Sequence, residues 1–430
     1  MPNFEIRTRL EIAEQIMHKV IIISSMQLIE DYLRRDLGRN DLVSWEAIRV
    51  AYMERAVTIV KKDWQSPAYL TSLENQAGRR EGKIVGNIND YTRDKHDLAL
   101  AYEKKFAKEY LSGLSFLPIE PYITSSGMAA LTTIVLTIHR ECGGNQTILV
   151  GKHSYFQNLE LLTKSFNKVI LFDENKLDEW QRLIVEERPR AIFVDTMCNE
   201  ADLTVPPVIA LAKYLEREVS EKTYLVVDNS MLAIGYPWRD LFKHCTKNLE
   251  IIGWESLNKY YQFGLDRTTG GVLWGSRRMS LALFYGRLHG GTIMPDINAA
   301  MLPTPSKRIL TKYMQRVEQN RRLLQNIFGA RGISAQTEYW FSGAQVVVLF
   351  DKKQSYFRLQ RIIKVAIGKA RREGLQLSAG TSFGMPSTRV YITAADTKYA
   401  KYTSMFLRIS VGVEEKEVIE KIGRILLDSI

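Results

Sequence analysis

The sequence predicts an α/β protein with a large, mostly parallel sheet. Short apolar runs alternate with amphipathic helices of about 10–15 residues, which is the pattern of strands joined by helical crossovers. The chain has 430 residues, of which 45% are hydrophobic and 25% charged, so it is long enough for two domains and a large core. The runs predicted as strands of this sheet lie at 147–150, 169–172, 191–196, 224–227, 249–254 and 270–275.

Three parts are expected along the chain. Residues 1–90 form an N-terminal helical arm with apolar residues at helical spacing, and this arm is expected to pack on a partner subunit. Residues 91–300 form the large sheet domain. Residues 301–430 form a smaller C-terminal α/β domain, since Pro303 and Pro305 mark a break before it. Its predicted strands lie at 345–350, 389–394 and 406–413, and its predicted helices include 356–373 and 415–428.

The composition argues against several classes of partner. The formal net charge is +11, but lysine and arginine are spread along the chain and no helix-turn-helix carries a basic cluster, so no nucleic-acid partner is expected. No apolar run has the length of a membrane span or a signal core, so no membrane partner is expected. The three cysteines lack C-x-x-C spacing and the six histidines lack metal-ligand spacing, so neither a disulfide framework nor a metal site is predicted. Reduced thiols favour a cytoplasmic location.

Two polar residues follow predicted strands of the sheet. Asp228 ends the strand 224–227, and Lys259 comes just past the strand 249–254. Ligands of open α/β sheets bind at the carboxyl ends of the strands. A lysine that forms a Schiff base and a carboxylate that keeps the ring nitrogen protonated are the requirements of pyridoxal 5'-phosphate (PLP). The alternative is a turn-forming aspartate and an ordinary surface lysine.

Three further features stand at strand or helix ends. The segment 125–128, SSGM, opens an apolar helix whose N-terminus suits a phosphate, although Ser126 can equally be an ordinary helix cap. Tyr155 follows the strand 147–150, where it can stack on a ring, shuttle a proton or pack under a loop. Asn199 lies four residues beyond Asp195 and can bond a ring oxygen or make an Asx turn.

Arg408 lies within an apolar stretch that is predicted as a strand. An arginine buried there needs an anionic partner, because an unpaired buried charge is costly. A substrate carboxylate held by two hydrogen bonds and a structural salt bridge are both open at this point.

In this order, the motifs resemble the Cys/Met-metabolism family of PLP enzymes, the group of cystathionine γ-lyase, methionine γ-lyase and cystathionine γ-synthase. The resemblance extends over most of residues 85–425 and implies the fold type I PLP-transferase architecture. The strings VVDNS, SLNK and LRISVGVE are similar to the family's V-D-N-T, S-A-T-K and L-R-L-S-V-G-x-E. Each motif is weak alone, but their shared order and spacing are specific.

The resemblance implies a role for each matching position. Lys259 is the Schiff-base lysine, Asp228 faces the pyridine nitrogen, and Tyr155 stacks on the ring and serves in catalysis. Tyr91 and Arg93 reach the phosphate of a neighbouring subunit, which implies a homodimer or homotetramer. The remaining cofactor contacts are expected from Ser126, Gly127, Met128, Asn199, Ser256 and Asn258, and the substrate carboxylate contacts from Arg408 and Ser378.

The departures from the family pattern lie mainly beside the substrate. His96, Asp97 and Leu98 replace the family's N-P-T, Phe156 and Gln157 replace its glycines, and the prolines around Asn199 are missing. Asn258 stands where the family has threonine or serine. PLP binding is therefore predicted more firmly than any particular substrate.

The expected function is a PLP-dependent lyase or transferase. Its small-molecule substrate would be an amino acid with a C–S or C–O leaving group on the β or γ carbon. The reaction would be elimination or replacement through a vinylglycine-type intermediate. The alternatives are other PLP chemistry on the same fold, such as transamination or a step toward an unusual amino acid, and a non-catalytic binding role.

Overall fold

The fold was described from a computed structural model, which describes residues 96–350, 352, 354–393 and 405–430. The predicted arm over residues 1–90 and the predicted phosphate contacts Tyr91 and Arg93 lie outside the described residues.

A seven-stranded sheet forms the centre of the large domain. Its strands occur in the spatial order β1-β7-β6-β5-β4-β2-β3. Strand β7 runs antiparallel to both of its neighbours, and the other pairs are parallel. The strands are β1 (Ile119–Thr124), β2 (Thr147–Gly151), β3 (Lys168–Phe172), β4 (Ala191–Asp195), β5 (Thr223–Asp228), β6 (Leu249–Ser256) and β7 (Gly271–Ser276).

Helices cover both faces of this sheet. The central strands β4, β5 and β7 are buried along their whole length, as expected of strands that are covered on two sides. Alternate residues of β5 therefore enter two different apolar cores: Leu225 and Val227 enter one, and Tyr224 and Val226 the other. The helices are α1 (Asp97–Tyr110), α2 (Gly127–Cys142), α3 (Phe156–Ser165), α4 (Leu177–Glu187), α5 (Val208–Glu218), α6 (Trp238–Phe242), α7 (Ser280–Gly290) and α8 (Asp296–Met301).

A second sheet of five strands forms the C-terminal part, in the order β10-β11-β12-β9-β8. It packs with three helices around a third apolar core. Among the described helices, none combines the length and the apolar character that crossing a membrane requires. The strands are β8 (Gly332–Ile333), β9 (Gln345–Val348), β10 (Ser378–Ala379), β11 (Arg389–Thr393) and β12 (Phe406–Ser410), and the helices are α9 (Lys307–Phe328), α10 (Tyr356–Arg372) and α11 (Lys416–Leu427).

Helix α9 belongs to both parts of the chain. Its first half, including Ile309 and Met314, packs into a core of the large sheet, whereas Leu324 and Phe328 pack into the third core. The change from one core to the next thus falls within α9, whereas the sequence places the boundary at the prolines before it.

The predicted α/β fold with a mostly parallel large sheet is confirmed. All six of the predicted strands of the large domain are present, with ends shifted by one or two residues. The sequence did not predict β1, because the segment that begins at Pro121 was assigned to the start of the helix that follows. Proline is accommodated here since β1 is an edge strand of the sheet, paired with β7 alone.

Candidate active site

The carboxyl ends of three adjacent strands form the centre of the site. Asp195 and Asp228 are the last residues of β4 and β5 and lie opposite each other in the strand register. Ser256 ends β6 beside them, and Lys259 follows three residues later. The fold therefore places the two residues that carry the PLP prediction at one edge of the sheet.

Asp228 is a buried carboxylate held by two donors. Asn158 Nδ2 donates to its Oδ2 at 3.1 Å, and the backbone N–H of Ser230 donates to its Oδ1 at 2.9 Å. Burial raises the pKa of Asp228, while these hydrogen bonds and the charge of Lys259 oppose the rise. The geometry fixes the orientation of this carboxylate and favours a partner that carries a positive charge or donates a proton.

Lys259 is a partly buried amine with few polar contacts. Its Nζ donates to Ser382 Oγ at 3.3 Å and lies 4.7 Å from the ring centroid of Phe383. Burial, and then the charge of Arg408, lower the pKa of Lys259 to about 8. An amine with this pKa is partly neutral near pH 8, which suits a nucleophile or a base.

The N-terminus of α2 forms the phosphate-binding candidate. Ser126 is its N-cap, and the Ser126 hydroxyl accepts from Ala129 N–H at 3.0 Å. The N–H groups of Gly127 and Met128 have no acceptor within the helix and are available to an anion. A Cβ on Gly127 would lie 3.0 Å from Ser256 Cβ, so the glycine allows the two segments to meet.

Gly271 brings β7 against the same helix end. A Cβ on Gly271 would lie 2.6 Å from the carbonyl carbon of Ser126 and 2.8 Å from the nitrogen of Gly127. Only a residue without a side chain permits this approach of two backbones.

Arg408 lies on β12 and is 6% exposed. Its Nη1 donates to Asn199 Oδ1, and its guanidinium carbon lies 4.8 Å from the ring centroid of Tyr391. Burial lowers the pKa of Arg408 to about 10. Within the described part of the chain, no carboxylate forms a salt bridge with it, and its Nε makes no hydrogen bond. Of the two interpretations left open by the sequence, this geometry favours a site for an external carboxylate.

Tyr155 stands at the end of β2 as the N-cap residue of α3, with its side chain 37% exposed. Its backbone N–H donates to Asp195 Oδ2 at 2.9 Å. Burial raises the pKa of the Tyr155 phenol, whereas the charge of Arg408 lowers it and the charge of Asp228 raises it.

Two predicted contacts lie elsewhere in the structure. Asn258 Oδ1 accepts from the backbone N–H of Gly270 at 2.7 Å, so this side chain ties the lysine loop to β7. Ser378 is on the edge strand β10, two strands from β12, and its backbone nitrogen bonds to Thr388. The roles of Asn258 toward the cofactor and of Ser378 toward the substrate remain predictions.

Three residues that were not predicted from the sequence contact Asp228, Lys259 and Arg408: these are Asn158, Ser382 and Tyr391. Asn158 lies one helical turn after Tyr155 and therefore on the same face of α3. This spacing was the signal by which the sequence could have indicated it. Ser382 precedes Gly384, where a Cβ would lie 2.6 Å from the carbonyl carbon of Lys259. This close approach brings the C-terminal part onto the lysine loop.

The residues present fit PLP. Asp228 is buried with its orientation fixed, Lys259 is a partly buried amine with a lowered pKa, and a helix N-terminus lies against Ser256 at the start of the lysine loop. Asn158 Oδ1 beside Asp228 is buried and makes no hydrogen bond with the described residues, as expected of a group that faces a ligand.

Comparison with solved structures gives the class of this fold. Cystathionine gamma synthase from Xanthomonas oryzae superimposes with a TM-score of 0.63 at 15% identity, over 79% of this chain and 89% of that chain. Cystathionine gamma-lyase from Lactobacillus plantarum superimposes with a TM-score of 0.64 at 17% identity, over 81% of this chain and 90% of that chain. A methionine gamma lyase from Micromonospora echinospora superimposes with a TM-score of 0.61 at 18% identity, over 78% of this chain and 88% of that chain. The fold implied by the sequence resemblance is thereby confirmed.

The comparison of sequences finds a longer relative. The bifunctional enzyme flvA of Aspergillus flavus is 28% identical over 329 residues, which cover 72% of this chain and 38% of flvA. The chain thus spans well under half of the length of that protein. No family model matches the chain.

Proposed function

We propose that the chain is a PLP-dependent enzyme that acts on an amino acid with a leaving group on its β or γ carbon, by elimination or replacement. The observation that carries this proposal is the pairing of a buried carboxyl with a partly buried amine at one sheet edge. Lys259 has a pKa lowered to about 8, and Asp228 lies close enough for its charge to act on that amine. A buried arginine without a carboxylate partner in the described residues completes the set.

The chain's own residues supply the binding and orientation. Lys259 would hold the cofactor covalently, Asp228 would keep its ring nitrogen protonated, and the N-terminus of α2 would bind its phosphate. When bound, PLP supplies an electron sink for the carbanion that forms at the substrate α carbon. Asp228 supports this chemistry because Asn158 and Ser230 fix the direction of its two oxygens.

The substrate-side residues move protons and hold the carboxylate. Arg408, oriented by Asn199, would bind the substrate carboxylate through two hydrogen bonds. The released amine of Lys259 would take the α-proton. The Tyr155 phenol or the protonated Lys259 would then protonate the leaving group.

The comparisons support the class of reaction. The three neighbouring structures are named as a cystathionine gamma synthase, a cystathionine gamma-lyase and a methionine gamma lyase. A synthase and lyases on one fold match the replacement and the elimination that are proposed here for one set of residues.

The proposal includes a second copy of the chain. The sequence resemblance places Tyr91 and Arg93 at the phosphate of a neighbouring subunit, so the active form should be at least a dimer. Sedimentation equilibrium of the full chain checks this, and a fully active monomer would contradict it.

The first experiment tests for covalent PLP at Lys259. The purified full chain is supplied with PLP, reduced with borohydride and mapped by peptide mass spectrometry. We expect the reduced adduct on Lys259, its loss in Lys259→Ala and its retention in the surface control Lys243→Ala. A chain that takes up no PLP, or an adduct on another lysine, would contradict the proposal. Release of keto acid and ammonia from a panel of amino acids then distinguishes elimination from replacement.

A further inference from the structure

A second cluster of chemically active side chains lies on the loops that follow β2, β3 and β4. It consists of His153, Glu174 and Cys198, which are far apart in the sequence. One ligand atom from each lies within 4.8 Å of the others. None of the three has a role in the proposed reaction.

The centre of this cluster is buried, and two of its polar atoms contact only each other. Glu174 is 2% exposed, and its Oε2 lies 3.2 Å from His153 Nδ1. Neither atom makes a hydrogen bond within the described residues. A Cβ on Gly151 would lie 2.9 Å from the Glu174 carboxylate, so the glycine at the end of β2 makes room for this acid.

The other imidazole nitrogen indicates which atom carries the proton. His153 Nε2 lies 3.1 Å from Glu200 Oε1, which can accept a proton from it. In that tautomer Nδ1 has a lone pair directed at a carboxylate oxygen, and two such acceptors at 3.2 Å repel each other unless a proton or a metal cation lies between them.

We infer that His153 Nδ1, the Glu174 carboxylate and the Cys198 thiolate bind a zinc ion. Nitrogen, oxygen and sulfur are the ligand atoms that zinc takes in proteins. At zinc distances of about 2.0–2.1 Å, a separation of 3.2 Å corresponds to a ligand–zinc–ligand angle of about 100–105°, close to tetrahedral. Cys198 Sγ lies 3.6 Å from the other oxygen of this carboxylate, Glu174 Oε1, so the thiolate and the carboxylate lie close enough to bind one zinc ion at the usual zinc–sulfur and zinc–oxygen distances.

The surroundings of the cluster match those of a metal site. Glu200 on the far side of His153 forms the carboxylate–histidine–metal arrangement that orients an imidazole. Asn175 Nδ2 donates to Cys198 Sγ at 3.4 Å and would stabilise a thiolate.

The zinc ion would position residues of the active site without touching the substrate. The backbone N–H of Asn199 donates to the carbonyl of His153 at 2.9 Å, and Tyr155 follows two residues after His153. An ion that joins these loops would help to fix the positions of Tyr155 and Asn199. The absence of metal-ligand spacing in the sequence is no obstacle, since the three ligands come from three separate strand ends.

Metal analysis of the full chain tests the inference independently of PLP. The chain is purified under reducing conditions without chelators, and its zinc content is measured by plasma mass spectrometry. We expect about one zinc ion per chain, lost in Cys198→Ser and Glu174→Gln and kept in the cysteine control Cys142→Ser. Removal of the zinc should lower the melting temperature of the wild-type chain but not that of folded Cys198→Ser.

A cobalt titration of the stripped wild-type chain covers the case in which the variants fail to fold. Saturable uptake of Co²⁺ with a thiolate-to-cobalt charge-transfer band supports the site, because only a cysteine ligand gives that band. A chain that holds no zinc and takes up neither Zn²⁺ nor Co²⁺ would overturn the inference. It would leave a protonated His153 between Glu174 and Glu200 as the explanation of the cluster. Equal metal content in Cys198→Ser and in the wild type would overturn it as well.

Discussion

At the scale of single residues, Arg408 is the residue on which the proposed substrate side of the site depends most. It is a buried guanidinium whose described polar contact is one amide oxygen, that of Asn199. Leaving such a charge without an anion is costly, so the position is explained best by a ligand that brings a carboxylate. The same positive charge lowers the pKa of Lys259, which links substrate binding to the state of the amine.

Replacement of Arg408 should therefore affect substrate binding first. We expect Arg408→Lys to raise KM by about 30- to 100-fold, which corresponds to about 2–3 kcal/mol, because an ammonium cannot hold a carboxylate through two parallel hydrogen bonds. The fall in kcat should be much smaller. Steady-state kinetics on the best amino acid of the panel measure both constants. The surface control Arg182→Lys should change neither, and an unchanged KM in Arg408→Lys would remove this arginine from the substrate site.

At the scale of elements, the phosphate site depends on how closely three backbones approach one another. The start of β7, the end of β6 and the N-terminus of α2 meet at Gly271, Ser256 and Gly127. Since the anion site consists of N–H groups at a helix end, its quality depends on where that end lies relative to the lysine loop.

A single methyl group should displace this helix end. In Gly271→Ala the new Cβ would collide with the backbone of Ser126 and Gly127, and backbone cannot rotate away as a side chain can. We expect a loss of about 1–3 kcal/mol in the free energy of unfolding and a roughly tenfold or greater loss of PLP affinity. Urea unfolding and PLP titration measure the two effects. Gly113→Ala is the matched control, because a Cβ there meets nothing within 4 Å. Equal behaviour of the two variants would argue against a tight contact at β7.

The strands and loops also show which features of the fold can be predicted from the sequence and which cannot. Strands such as β4 and β5 were predicted because apolar runs with polar ends are a local signal, and Asp228 and Lys259 follow from it by counting. Asn158 and Ser382 were missed because their significance depends on what faces them across the fold. The same limit applies to the cluster of His153, Glu174 and Cys198. These residues lie on three separate loops, and contacts between distant loops produce no regular spacing in the sequence.

At the scale of the whole molecule, the site lies between two parts of the fold. Lys259 and Asp228 belong to the large sheet, whereas Arg408 and Ser382 come from the C-terminal part that packs around its own core. A substrate that contacts both Arg408 and Lys259 would join the two parts. Because the site contributes contacts between these parts, the protonation of its buried groups should affect the free energy of unfolding of the chain.

Several of those buried groups are carboxyls whose pKa values are raised in the fold. Glu255 is fully buried, and burial raises its pKa to about 8. Burial also raises the pKa of Glu414, to about 7. Such a group keeps its proton in the folded chain and loses it in the unfolded chain between the ordinary value of 4.5 and the raised value. Within that window the unfolded state binds fewer protons, so the free energy of unfolding falls as pH rises.

The cofactor-free chain should consequently be most stable at mildly acidic pH and should lose stability toward pH 8. We expect Glu255→Gln, which keeps an acceptor for Asn229 Nδ2, to flatten this decline by about 1.4 kcal/mol per pH unit between roughly pH 5 and pH 8. Urea unfolding of wild type and variant at several pH values gives the two slopes. Glu186→Gln, at an exposed position, should leave the slope unchanged. Parallel profiles for wild type and Glu255→Gln would mean that Glu255 is ionised in the folded chain.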